Sequence, residues 1–378
     1  MTSIQITVPA AYLRGGTSKA LFFHERDIPP YGPDRDRFLM RVMGSPDHMQ
    51  IDGMGGTYPV TSKVAIVRPS DREDADVDFI FAQVSVNESF VDYDATCGNI
   101  SAGVGPFAIN EGLVKERRLG KMAEGYTTQE VRIYQPLSTQ KALMAHVPIS
   151  EKTGRFVEKG EYRIAGCPGS GSPILMDYRE TTGGGVHKGL MPTGQPVNEM
   201  DIDGHTIEYT ICDAAHIIAF ARAVDFGLQG NEHPRAINED KGLLKRVREF
   251  RGKAAHSVGL CREPSTVDED SPILPMIALI SEPSQEDAHI QSRLFLDNAC
   301  HSAMAGAGAT CTAACSRMPG SLVAQLMSQS ALKDKVFNVQ HPSGVLPISI
   351  DTEGSGDDGM PIFKTLSFVR TARYLFKG

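Results

Sequence analysis

The sequence contains no Cys-x-x-Cys pair, no dense run of lysine and arginine, and no apolar stretch of the length a bilayer requires. Each absence removes a class of function. The cysteines are scattered at positions 97, 167, 212, 261, 300, 311 and 315. They read as free thiols in a reducing compartment, so a cytoplasmic location is expected. Cys311 and Cys315 are spaced i, i+4 on one helix but have no second pair to complete a metal site, and neither zinc nor an iron–sulfur centre is expected. With no basic stripe and a formal net charge of -8, nucleic acid is not an expected partner. An anionic ligand must then be drawn by local cations rather than by the surface as a whole. The N-terminal stretch Met1-Thr2-Ser3-Ile4-Gln5-Ile6-Thr7-Val8-Pro9 reads as a first strand. It lacks a charged start followed by a long apolar segment, so neither a signal peptide nor a membrane span is expected.

Nucleotide motifs are missing as well, although glycines abound. Gly53-Met54-Gly55-Gly56 is followed by Pro59 and a strand, whereas a dinucleotide fingerprint follows a strand and opens a helix. In Gly15-Gly16-Thr17-Ser18-Lys19 the lysine comes after the hydroxyls, the reverse of a phosphate-binding P-loop. The second segment reads instead as a turn that presents hydroxyls, amides and one cation to a carboxylate.

What remains is an ordinary globular composition, 41% hydrophobic and 22% charged, in a chain of 378 residues. That length exceeds the size at which a single core stops growing, so two domains are expected. The boundary is placed at the flexible run Thr182-Gly183-Gly184-Gly185, giving domains 1–183 and 184–378. Thr365 to Leu375 is read as a final strand, with residues 365–378 returning to the first domain. The second half is expected to carry strands near Ile207 to Cys212 and Ile273 to Ser281, a polar helix around Ala236 to Ala255, and a buried small-residue helix from Ser302 to Ala314.

Two chemically informative segments stand out. In Asp94-Ala95-Thr96-Cys97-Gly98-Asn99-Ile100-Ser101-Ala102-Gly103, a partly alternating strand from Phe79 to Val86 gives way to small and apolar residues running to Asn110. Cys97 is thereby placed at a helix N-terminus. There the positive end of the helix dipole favours thiolate, lowering a free pKa of about 8.5 into the range of about 3.5 to 7.5. The same backbone amides make a seat for a carboxylate. Glycine dominates this helix and Pro106 interrupts it, so packing must hold it together. In the other segment, Ile51-Asp52-Gly53-Met54-Gly55-Gly56-Thr57 leads through Tyr58-Pro59-Val60 to Thr61-Ser62-Lys63-Val64-Ala65-Ile66-Val67. The continuous apolar run predicts a strand buried on both faces with Lys63 at the edge of a core. Desolvation and a neighbouring cation, with Lys19, Arg14 and Lys188 as candidates, bring a lysine from about 10.4 to about 7 to 8, the range of a working base.

The chain resembles the PrpF family. The resemblance rests on Arg14-Gly15-Gly16-Thr17-Ser18-Lys19, Ile51-Asp52-Gly53-Met54-Gly55-Gly56, Thr61-Ser62-Lys63-Val64-Ala65-Ile66 and Cys97-Gly98-Asn99. It continues through Leu190-Met191-Pro192-Thr193-Gly194, Asp213-Ala214-Ala215, Pro319-Gly320, His341-Pro342-Ser343-Gly344-Val345 and Arg370-Thr371-Ala372-Arg373, so nearly the whole chain is covered. Family members move a double bond in a small unsaturated polycarboxylate such as 2-methylaconitate, 4-oxalomesaconate or methylitaconate. The resemblance implies an α/β (α+β) fold of the diaminopimelate epimerase type. That fold has two pseudo-symmetric halves, each a curved sheet around a central helix, with the active site in the cleft between them. It further implies a cofactor-independent isomerase with Lys63 and Cys97 as the catalytic pair, assembled as a homodimer.

A 1,3-allylic shift removes a proton from a carbon acidified by conjugation and delivers one two atoms away, through a dienolate whose charge must be met by fixed donors. Lys63 and Cys97 are the expected acid and base, with their order open. Gly98, Asn99, Arg14, Thr17, Ser18, Lys19 and Ser62 are the expected carboxylate-holding groups; no metal and no cofactor are needed. Some segments depart from the family pattern. Tyr58-Pro59-Val60 stands where small and hydroxyl residues are usual. Asp213-Ala214-Ala215 continues into His216-Ile217, and Asp297-Asn298-Ala299-Cys300-His301-Ser302 is atypical. His216 and His301 are therefore candidate substrate contacts. Two rival readings are a two-thiol epimerase using Cys97 and Cys311, and a non-catalytic partner of an aconitase-like dehydratase.

Overall fold

The computed structural model describes residues 5–94, 96–121, 125–296 and 298–378. Its contacts divide the chain into two units, Met1–Met176 with Val369–Gly378, and Asp177–Phe368. The glycine run Thr182–Gly185 lies inside the second unit. Ala95, Asp297 and the first four residues of the expected N-terminal strand fall outside the described residues. Gln5 to Ala10 carry no regular structure, and the first strand begins only at Ala11.

In the first unit, strands β1 (Ala11–Gly15), β2 (Ser18–His24), β3 (Lys63–Pro69), β4 (Val77–Val84), β5 (Val91–Asp92), β6 (Thr128–Tyr134) and β7 (Ala142–Pro148) form one sheet. The pairings run β1–β2 antiparallel, β2–β3 parallel, β3–β4 antiparallel, β4–β6 parallel and β6–β7 antiparallel. The C-terminal strand Ala372–Lys377 pairs antiparallel with β1. On the outer face, helix α1 (Pro33–Met43) starts with proline at its first turn and stops at Gly44, whose φ of 77° is a left-handed C-cap. It sends Leu39 and Met43 into a core with Leu21, Phe23, Val64 and Ile66.

The inner face wraps helix α2 (Gly98–Asn110), which is buried from Gly98 to Ala108 and touches β1, β2, β3, β6 and β7. Small residues make this possible. A Cβ on Gly103 would lie 2.7 Å from the Phe22 ring, and one on Gly105 would lie 2.6 Å from Val147. Pro106 sits inside the helix, and an apolar surface all round is stable only when enclosed on every side.

The second unit repeats the plan. Strands β8 (Asn198–Ile202), β9 (His205–Ala214), β10 (His216–Arg222), β11 (Met276–Ser281), β12 (Ile290–Leu296), β13 (Val336–His341), β14 (Gly344–Ser355) and β15 (Pro361–Arg370) follow in chain order, the last two residues of β15 belonging to the first unit. From β9 to β14 the orientations again alternate antiparallel, parallel, antiparallel, parallel, antiparallel. That is the same sequence as from β1 to β7.

The expected polar helix is two helices, α3 (Pro234–Glu239) and α4 (Lys241–Val258), split where the Asp240 side chain accepts from Leu243 N and caps the second. The buried central helix α5 is Gly306–Ser316, shorter at its start than the small-residue run suggests, and it packs on β9, β10, β13 and β14. The single closing strand expected from Thr365 to Leu375 is broken at Thr371 between β15 and Ala372–Lys377.

Candidate active site

The expected site residues other than the histidines and Lys188 all lie in the first unit, on three pieces of structure: the β1–β2 turn, the start of β3 and the start of α2. The turn is as short as a hairpin allows, with Gly15 opposite Ser18 and Gly16 at φ 52°. It rests on the first residues of α2. A Cβ on Gly15 would meet Asn99 O at 2.4 Å, and one on Gly16 would meet Asn99 Oδ1 at 2.1 Å. Only glycine permits that approach. Thr17 N then donates to Asn99 Oδ1 at 3.3 Å, Asn99 Nδ2 donates to Thr17 Oγ1 at 3.1 Å, and Arg370 Nε donates to Asn99 Oδ1 at 3.1 Å. Arg14 Nη1 ties the same turn down from below, donating to Gly16 O (3.0 Å), Thr371 O (2.7 Å) and Thr371 Oγ1 (2.9 Å).

Cys97 is the N-cap of α2, half-buried, in extended conformation (φ -132°, ψ 101°). Its carbonyl accepts from Ser101 N at 2.8 Å and from Ser101 Oγ at 2.9 Å, fixing the first turn. No acidic side chain stands in that turn, so the positive end of the dipole is left for a ligand or a thiolate.

Lys63 opens β3 only 7% exposed. Its amine donates to Gln83 Oε1 and sits 4.9 Å from the centroid of the Phe81 ring. Burial pushes the amine below the usual lysine range, while the Cys97 and Asp92 charges pull it back up. Of the two expected catalytic groups, Cys97 is thus among the charges that act on the buried amine.

The remaining assignments divide. Thr17, Ser18, Gly98 and Asn99 surround the same helix start, with Ser18 buried. Lys19, on β2, has its ammonium 5.4 Å from the centroid of the Tyr12 ring. Ser62 differs from the sequence expectation. It is fully buried, its Oγ donates to Val84 O at 2.8 Å and accepts from Gln50 Nε2 at 2.7 Å, and it braces the start of β3 from behind. Lys188, considered as a neighbour of Lys63, donates from the second unit to Val258 O at the end of α4 (3.0 Å).

His216 is buried at the start of β10, and His301 Nδ1 accepts from Ala303 N at 2.9 Å. Cys311 is wholly buried in the interior of α5, its thiol donating to Cys212 O at 3.3 Å, and burial pushes that thiol up. A thiol at a helix start and a thiol inside a helix core do not make a matched acid–base pair. Among the described residues no cluster of His, Cys, Asp or Glu is placed to hold a metal ion.

Sequence reasoning missed Gln83, Asp92, Gln50 and the role of Arg370. Gln50, at φ 44° and buried, accepts Thr57 N at 3.0 Å and donates to Ser62, organising the glycine loop before Lys63. Of these four, only Arg370 had a sequence signal, as the first residue of Arg370-Thr371-Ala372-Arg373.

A 3-methylitaconate isomerase of Eubacterium barkeri is 36% identical over 389 residues, covering 100% of this chain and 97% of its own. A 4-oxalomesaconate tautomerase of Pseudomonas putida is 36% identical, covering 99% and 96%. The crystal structure of a methylitaconate-delta-isomerase, 35% identical, superposes with a TM-score of 0.80 over 100% of this chain and 95% of that one. A hydroxyproline epimerase from Agrobacterium vitis, 10% identical with a TM-score of 0.55 over 98% and 91%, shares the fold alone. The profile of the family described as PrpF protein matches residues 5–378, and with relatives of this identity over the full length, the chain belongs to the PrpF family.

Proposed function

We propose that the chain is a cofactor-independent isomerase that carries out a 1,3-allylic proton shift in a small unsaturated di- or tricarboxylate of the methylaconitate, oxalomesaconate or methylitaconate class. The observation that carries the reading is the buried Lys63 amine, held below the ordinary lysine range, within the field of a thiol at the N-cap of α2.

In the forward shift the neutral Lys63 amine takes a proton from the carbon flanking the conjugated system. The electron pair moves into the dienolate, and a proton returns to the carbon two atoms away from the Cys97 thiol or from the Lys63 ammonium. The dienolate and the substrate carboxylates are met by the amides of Gly98 and Asn99 and by Thr17, Ser18, Lys19 and Arg14, an arrangement worth several kcal/mol when preorganised. Ser62 supports the site rather than binding within it.

The relatives bearing isomerase and tautomerase names favour catalysis over an accessory role. The burial of Cys311 weighs against a two-thiol epimerase. The proposal includes a cytoplasmic homodimer, checked by sedimentation. Among the described residues no helix is long and apolar enough to cross a membrane.

The test is a proton NMR screen of unsaturated di- and tricarboxylates in deuterated buffer. Deuterium entering an allylic position as the vinylic signal moves supports the reading. Inversion at a stereocentre with the double bond unmoved would replace it with epimerisation.

A further inference from the structure

The ladder register sets Lys63 on β3 opposite Gln83 on β4, and Gln83 in turn opposite Asp92 on β5. Directly opposed residues of an antiparallel pair project from the same face, so the three side chains form one row across three strands. Phe81, two residues before Gln83 and therefore on that face as well, supplies the ring beside the amine. The orientation of the Gln83 amide is fixed by its other partners. Its Nε2 donates to Ser62 O at 2.9 Å and to Pro59 O at 3.1 Å. Carbonyl oxygens only accept, so the nitrogen must face them and Oε1 must face Lys63.

A neutral lysine amine has two N–H bonds and one lone pair. Giving one N–H to a fixed acceptor restricts where the lone pair can point.

We propose that Gln83 is the positioning residue of Lys63: its side-chain carbonyl, locked by Ser62 and Pro59, holds the amine through one N–H and so aims the lone pair, while Asp92 on the next rung sets the balance between amine and ammonium. The inference deepens the proposed function and rests on Lys63 being its base. Among the described residues, Gln83 and Phe81 from β4 contact the amine, and the charges of Asp92 from β5 and of Cys97 from the start of α2 act on it. On β2 the register partner of Lys63 is the uncharged Ala20, and Lys19 lies against Tyr12.

The test reads the amine directly, without any substrate. With lysine labelled by 13C at Cε, the Lys63 resonance is assigned by its loss in Lys63→Met and followed against pH. In Gln83→Glu a carboxylate replaces the carbonyl, and the midpoint is expected to rise by about one to three pH units; in Gln83→Met and in Asp92→Asn it is expected to fall. In the unsubstituted protein, the Gln83 side-chain amide resonances are expected to titrate with the Lys63 midpoint, which needs no variant to fold. A Gln83→Glu protein with native circular dichroism and an unmoved midpoint overturns the proposal. So does a Gln83 amide that stays flat through the titration of Lys63. The two readings fail separately, since a Lys63→Met protein that still exchanged allylic protons would remove Lys63 as the base while leaving the row of the parent protein intact.

Discussion

At the scale of single residues, the buried amine has two measurable consequences. Because Lys63 must be neutral to accept a proton and burial holds its pKa down, activity is expected to rise with pH through a midpoint below that of free lysine. A rate still climbing at about pH 10 would contradict a tuned base. Lys63→Met is expected to lose about 10² to 10⁴-fold in kcat, and Cys97→Ala a comparable factor if the thiol returns the proton, or much less if it only holds substrate.

Stability carries the same signature. Between the lowered folded pKa and the ordinary unfolded value, the unfolded chain binds a proton that the folded chain lacks, so the parent gains stability as pH rises through that window. Lys63→Met lacks this slope. Urea midpoints at about pH 7 and pH 9.5 are expected to show the parent gaining on the variant, and parallel midpoints would mean that Lys63 titrates as it does in water.

At the scale of elements, α2 is where close packing and helix propensity pull in opposite directions. Replacing Gly103 by alanine improves intrinsic propensity by about 1 kcal/mol, but the new methyl falls 2.7 Å from the Phe22 ring, and overpacking costs about 1–3 kcal/mol. Packing is expected to win, and thermal unfolding of Gly103→Ala should show a net loss of up to about 2 kcal/mol rather than a gain. Gly16→Ala is expected to lose at least as much, since it adds a left-handed backbone penalty of about 1–2 kcal/mol to a clash with Asn99 Oδ1.

The elements most legible in the sequence were those with a local cause. Cys97 followed by Gly98 and Asn99 marked a helix start, and Val64 to Val67 marked a buried strand. What escaped was set by distant partners. Nothing local to Gln83 shows that it faces Lys63, because that depends on a register fixed by the whole β3–β4 ladder. The inward turn of Ser62 follows from Gln50, held at positive φ twelve residues earlier. The break between α3 and α4 was hidden because Asp240 interrupts a polar pattern without disturbing its composition.

At the scale of the molecule, the same order of strand orientations recurs in the two units, each around one buried helix. Cys97 and Cys167 are half-buried, while Cys212, Cys261, Cys300, Cys311 and Cys315 are enclosed. A chromogenic disulfide reagent is therefore expected to titrate two thiols rapidly in the native protein, and the other five only on unfolding. Rapid reaction of Cys311 would place it at a surface the structure does not give it, and would revive a two-thiol mechanism.

The pairing of Ala372–Lys377 with the first strand also sets a timetable for synthesis. On the ribosome, the unit that carries Lys63 and Cys97 begins to emerge first, yet its sheet lacks one edge until codon 377 has been read. Every residue of the other unit is translated in the interval. Nascent chains stalled before that codon are expected to be cut by protease in the stretch around α2, and emergence of residues 369–378 is expected to end that vulnerability.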